Sequence, residues 1–241
     1  MAIAVSIGAF FMTLLGGMLA LHLRDRLHLI LGFSAGAVLG VAFFDLIPEA
    51  VSLATPTFRF DEVLTVVALG FVIYMILDRT IAPHRHDHDH EEHAPGPLHG
   101  GKLGAGSLSV HSFLDGFAIG LAFKVSAPVG IVVSAAILVH DFSDGVNTVG
   151  IVLGRKGGAR SATRWLLIDA AAPVLGAAST LLLDFPPYVL GLCLALFAGF
   201  FVYISASDLL PESYHDHPTR WTTAMTLLGI VTLYVVARLT A

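Results

Sequence analysis

Long apolar stretches separated by short polar breaks run along the chain almost end to end. They fall at Ala2–Leu23, Leu29–Ala54, Glu62–Ile81, Leu103–Phe123, Ala127–Leu153, Thr163–Leu183, Pro187–Leu210 and Trp221–Leu239. At about 1.5 Å per residue, about 20 residues cross the roughly 30 Å of bilayer hydrocarbon, and each run is near that length. The pattern predicts an all-α membrane protein of eight transmembrane helices. The first run has no Lys or Arg before it and no small-residue cleavage site, so it reads as a retained helix.

Composition agrees. Of 241 residues, 56% are hydrophobic and 13% charged, against about 25% charged in soluble domains; the mean hydropathy is +0.81. The single Cys193 excludes an internal disulfide framework and a thiolate metal cluster. The surroundings implied are a lipid bilayer, with no nucleic-acid partner; the pattern allows a homodimer.

The 13 Lys and Arg divide unevenly between the two faces. Arg24, Arg26, Arg79, Arg85, Lys102, Arg155, Lys156, Arg160, Arg164 and Arg220 fall in odd-numbered loops, and only Arg59, Lys124 and Arg238 on the other face. The positive-inside rule then puts the larger group in the cytoplasm and both termini outside. The third loop, residues 82–106, holds His84, His86, His88, His90, His93 and His99 among acidic residues, Pro and Gly. It is expected to be disordered, either collecting metal through imidazole and carboxylate or serving as a solvated linker. The organisation is thus residues 1–81 (helices one to three), 82–106 (His-rich loop), 107–153 (helices four and five) and 154–241 (helices six to eight).

An ionisable group at membrane depth is costly unless it faces a partner, an ion or water. The fourth run carries His111-Ser112-Phe113-Leu114-Asp115-Gly116, and the fifth His140-Asp141-Phe142-Ser143-Asp144-Gly145. The i, i+4 spacing puts imidazole and carboxylate on one helical face, where both can hold one cation. Rise along the helix places His111 and Asp115 about 12 and 18 Å into their span and His140 about 18–20 Å into the next, near mid-membrane. One such pair could be a buried ion pair; two copies in consecutive helices point to metal. Ser112 and Asp141 lie one step round. The glycines after each Asp permit close helix approach, as simple packing also would.

A second recurrence is Asp45-Leu46-Ile47-Pro48-Glu49 in the second run and Asp208-Leu209-Leu210-Pro211-Glu212 in the seventh. Each pairs two carboxylates around a proline that frees a backbone carbonyl. The copies lie at opposite membrane faces, which implies a 3+2+3 inverted repeat around helices four and five. Asp45 and Glu49 then line an outer entry, and Asp208 and Glu212 a cytoplasmic exit toward His215, Asp216 and His217; interfacial capping is the alternative role. Asp169, a turn before Pro173, is a ligand or pathway residue, or else a partner for Arg164.

With these residues in view, the chain resembles the ZIP (Zrt/Irt-like) family of divalent metal transporters, prokaryotic type. HSFLDGFAIG at His111–Gly120 is close to that family's helix-four signature, and His140, Asp141 and Asp144 fall on its helix-five motif. The resemblance implies metal binding by these residues, two adjacent ions bridged by carboxylates, and a multi-pass location in the bacterial inner membrane. The chain departs from many relatives at Ala172, where they carry Glu before the helix-six proline, and at Ser207-Asp208, where they carry His-Glu.

Imidazole with carboxylate suits Zn²⁺, with Cd²⁺, Fe²⁺ or Mn²⁺ also accommodated, and is too nitrogen-rich for Mg²⁺ or Ca²⁺. The expected function is divalent metal transport, zinc first, into the cytoplasm by alternating access, with no catalysis. The rival is a membrane metalloenzyme, a hydrolase or hydroxylase using the same His and Asp, but such enzymes usually need more histidines than the two at depth here.

Overall fold

The computed structural model describes residues 1–19, 27–81, 99–154, 158–215 and 220–240. The described residues are overwhelmingly helical and include 8 helices long and apolar enough to cross a membrane. They are α1 (Ala2–Leu19), α2 (His28–Ala54), α3 (Phe60–Thr80), α4 (Gly104–Val125), α5 (Ala127–Leu153), α6 (Ala159–Leu182), α7 (Pro187–Tyr214) and α8 (Arg220–Leu239). Phe11, Met18, Leu69, Ile76, Leu175 and Val231 stand exposed on the outside, as lipid-facing side chains do. The histidines at 84–93, and Asp216 and His217, lie outside the described residues.

One boundary needs correction. The expected loop runs to residue 106, yet helix already begins at His99. Glycines at 100, 101, 104 and 106 hide this start from a hydropathy reading. Packing overrides their low helix propensity: Ala105 is fully buried in a cluster with Val146, Val149 and Leu166, while Gly104 and Gly106 face Ile151 and Trp165.

Glycines set the helix pairing. A Cβ on Gly16 of α1 would run into the Phe142 carbonyl oxygen of α5, and one on Gly145 of α5 into that of Thr13. The same reciprocal arrangement joins α4 to α6 (Gly116 on Pro173, Gly176 on Phe113), α2 to α8 (Gly36 on Thr226, Gly229 on Phe33) and α3 to α7 (Gly70 on Leu196, Gly199 on Val67). Where lipid supplies no hydrophobic drive between helices, such close backbone approach is a main source of association. Mapping α1–α3 onto α6–α8 and α4 onto α5 turns the α1/α5 pair into α6/α4 and the α2/α8 pair into α7/α3. The glycine pairs therefore obey the inverted repeat.

Two π-helical turns follow the same symmetry: Ala42–Leu46 within α2 and Ser205–Leu209 within α7. Each contains an aspartate, Asp45 or Asp208, and precedes a proline, Pro48 or Pro211.

The helices sort into two groups. One packs α1, α4, α5 and α6 against one another; the other packs α2 with α7 and α8, and α3 with α7. Contacts between the groups are sparser. Ser34 Oγ of α2, donating to the Val139 carbonyl of α5 at 3.3 Å, is one polar contact that crosses this boundary.

Candidate metal centre

Ser126 alone separates α4 from α5, so they are sequence neighbours whose polar faces meet inside the first group. His111 Nε2 lies 3.2 Å from Asp115 Oδ2 and 3.5 Å from Asp144 Oδ2. His140 Nε2 lies 3.2 Å from the same Asp115 oxygen and 3.8 Å from the same Asp144 oxygen. All four residues are buried, and one donor atom from each lies within 4.8 Å of all the others. In a tetrahedral zinc site with ligands at about 2.0–2.2 Å, neighbouring donor atoms sit about 3.3–3.5 Å apart. The four His–Asp spacings, 3.2, 3.5, 3.2 and 3.8 Å, fall close to the edge length of that polyhedron.

The far side of each imidazole is also occupied. His140 Nδ1 is 3.2 Å from the Ala136 carbonyl, one turn earlier, and His111 Nδ1 is 2.8 Å from the Tyr74 hydroxyl of α3. A proton held on Nδ1 leaves Nε2 as the metal-binding nitrogen, the usual outer-shell arrangement for a ligating histidine.

Asp141 is fully buried, and among the described residues neither of its carboxylate oxygens has a hydrogen-bond partner; Oδ1 comes to 3.9 Å from His140 Nε2. A buried carboxylate so placed is costly without a cation nearby. It stands beside the set of four without belonging to it.

Ser112 and Asp169 meet each other. Ser112 Oγ donates to Asp169 Oδ1 at 2.8 Å and approaches the Leu108 carbonyl at 3.1 Å, while Thr148 Oγ1 donates to Asp169 Oδ2 at 2.7 Å. Asp169 thus ties α6 to α4 through Ser112, the residue after His111, and to α5 through Thr148, one turn beyond Asp144. Its partners are these hydroxyls, while Arg164 is exposed. Asp169→Ala is expected to lower metal affinity by about 10-fold, because two buried hydroxyls that hold α4 and α5 in register lose their acceptor, with Asp169→Asn milder because it keeps one acceptor oxygen. Titration calorimetry on the purified variants reads this directly.

Asp45, Glu49, Asp208 and Glu212 are not brought into the four-residue set. Asp45, Glu49 and Asp208 are half-buried and Glu212 is exposed; Asp45 Oδ2 is buried with no hydrogen bond. Two residues escaped the sequence reading. Thr148 was detectable, four positions after Asp144 on the same face. Tyr74 was visible only as a polar tip inside an apolar run.

A polytopic helical bundle with two imidazoles and two carboxylates closed around a point inside it defines a membrane protein that passes metal ions. The family model described as ZIP zinc transporter matches residues 103–237, more than half of the chain, and the chain belongs to the ZIP family. It is 28% identical over 218 residues to the zinc transporter ZupT of Corynebacterium aurimucosum, covering 83% of this chain and 82% of that protein. Against the zinc transporter ZupT of Shigella dysenteriae it is 27% identical over 228 residues, 90% of this chain and 85% of the other. With the metal cation symporter ZIP8 of Rattus norvegicus it shares 32% identity over 106 residues, 43% of this chain and 22% of that protein. The chain is a multi-pass membrane protein that transports divalent metal ions.

Proposed function

We propose that the transported ion is zinc first, bound at mid-membrane by His111, Asp115, His140 and Asp144. The carrying observation is the spacing of four donor atoms from two consecutive helices. Two neutral imidazoles and two carboxylates match the charge of a divalent ion and the ligand preference of Zn²⁺; cadmium, iron(II) and manganese(II) are the competing cargoes. Names of the ZupT relatives support zinc.

Asp141 and Asp144 form the acidic side of a second, adjacent ion position, which the unbonded oxygens of Asp141 favour. Ser112 and Asp169 act there by holding the helices in register. Asp45 and Glu49 attract ions at the outer mouth, and Asp208 and Glu212 receive them on the cytoplasmic side, as one helix group moves against the other. The termini face outward from the bacterial inner membrane, and no bond in a substrate is made or broken.

Purified protein in liposomes loaded with a zinc indicator tests this. Saturable zinc entry is expected, abolished by His140→Ala, and falling as pH is lowered from about 7.5 to 5 because the ligands must be deprotonated to bind. Zinc binding without flux, or flux indifferent to both pH and His140→Ala, would refute it.

A further inference from the structure

α3 is the least buried of the eight membrane-length helices. It nevertheless sends one polar group to the metal centre. The Tyr74 hydroxyl lies 2.8 Å from His111 Nδ1, and the two rings meet edge to face at 6.0 Å.

Tyr74 is held from behind. Its ring packs against Phe200 at 5.3 Å and Tyr203 at 5.6 Å, both on α7. Tyr203 packs on Phe71 at 5.2 Å and donates its hydroxyl hydrogen bond to Asp78 Oδ2 at 3.1 Å. Phe71, Tyr74 and Asp78, at i, i+3 and i+7, share one face of α3. Gly70, one turn before Tyr74, lies against the Leu196 carbonyl and fixes α3 on α7 at backbone distance. An aromatic stack and a carboxylate anchor thus aim one hydroxyl at one ring nitrogen.

We propose that Tyr74 is a positioning residue for metal binding: it fixes the rotamer of His111 so that Nε2 faces the ion, and it keeps Nδ1 hydrogen-bonded both without and with the ion. A phenol can donate or accept, so it satisfies Nδ1 whichever ring nitrogen carries the proton. With the proton on Nδ1, the phenol oxygen accepts it and Nε2 is left for the metal. A phenylalanine would keep the packing and lose this function. Because α3 belongs to one helix group and α4 to the other, the contact also links the ion's surroundings to the group that does not hold the ion. The inference rests on His111 being a ligand.

The test is a double-mutant cycle on full-length purified protein, reading zinc affinity by calorimetry and zinc uptake in liposomes. Tyr74→Phe is expected to weaken zinc binding by about 10-fold or more, within the range for outer-shell partners of a metal-bound histidine. The apparent KM should rise by a similar factor and the maximal rate change far less. In a His111→Ala background, Tyr74→Phe should weaken binding by less than about twofold, since the group it positions is gone. Equal losses in both backgrounds, or Tyr74→Phe binding within about twofold of the unsubstituted protein, would overturn the proposal. If His111→Ala itself leaves binding unchanged, it is the ligand assignment that fails, and the proposal with it.

Discussion

Asp115→Asn is expected to reduce zinc uptake by on the order of 100-fold or more. The Oδ2 atom of Asp115 is 3.2 Å from the Nε2 of both histidines, closer to the pair than Asp144 Oδ2 at 3.5 and 3.8 Å. Asparagine preserves volume and hydrogen-bonding shape but removes one of the two negative charges that offset a divalent ion. Breaking a buried charge pair by removing one partner costs about 3–5 kcal/mol, and each 1.4 kcal/mol is a factor of ten in affinity. Uptake into indicator-loaded liposomes, beside a thermal melt showing the variant still folded, measures the loss. The exposed Asp61→Asn, changed in the same way, should transport normally. Near-normal uptake by Asp115→Asn would remove the four-donor centre as the ion's resting place.

The second large effect concerns the backbone. Gly145→Ala should destabilise the protein by about 3 kcal/mol or more, at or beyond the usual upper range for overpacking, because the new methyl meets backbone instead of a yielding side chain. Its neighbours are the Thr13 carbonyl and the Gly17 amide nitrogen, so α1 and α5 would have to part. Asp144, the preceding residue, would move with them, and flux should fall as well. Gly150→Ala, in the same helix, is the contrast: a Cβ there has nothing within 4 Å. It should be neutral or stabilising by about 0.5–1 kcal/mol, the helix-propensity difference between the two residues. Thermal unfolding in detergent separates the two variants.

These expectations show which parts of the molecule are legible in a string of residues. Spans are legible because lipid imposes length and apolarity together: the fifth run starts and ends where α5 does, at Ala127 and Leu153. The four residues at the centre are legible because His and Asp at i, i+4 share a helical face whatever surrounds the helix. What depends on a third helix is not. Ser112 reads as a residue beside His111, but that its hydroxyl donates to Asp169 on α6 is not legible in the sequence. Tyr74 lies 37 residues before His111, and no periodicity links them. Of the paired glycines only Gly116 and Gly145, directly after the two aspartates, stand out in the sequence, and which carbonyl each meets is a property of the packed bundle.

Asp45 and Asp208 both sit in π turns, just before the prolines that free a backbone carbonyl. There the backbone N–H of Ile47 reaches the carbonyl of Ala42, and that of Leu210 the carbonyl of Ser205, one residue further back than in an α-helix. A surplus residue in a span advances everything beyond it by about 100° around the helix axis. α2 and α7 are therefore each two helices out of phase, joined at an aspartate, and the insertion decides which way Glu49 and Glu212 point. Deleting one residue other than the aspartate at either turn would lengthen no loop and remove no charge, yet it would swing the helical segment that carries Glu49 or Glu212 by about 100° around the axis.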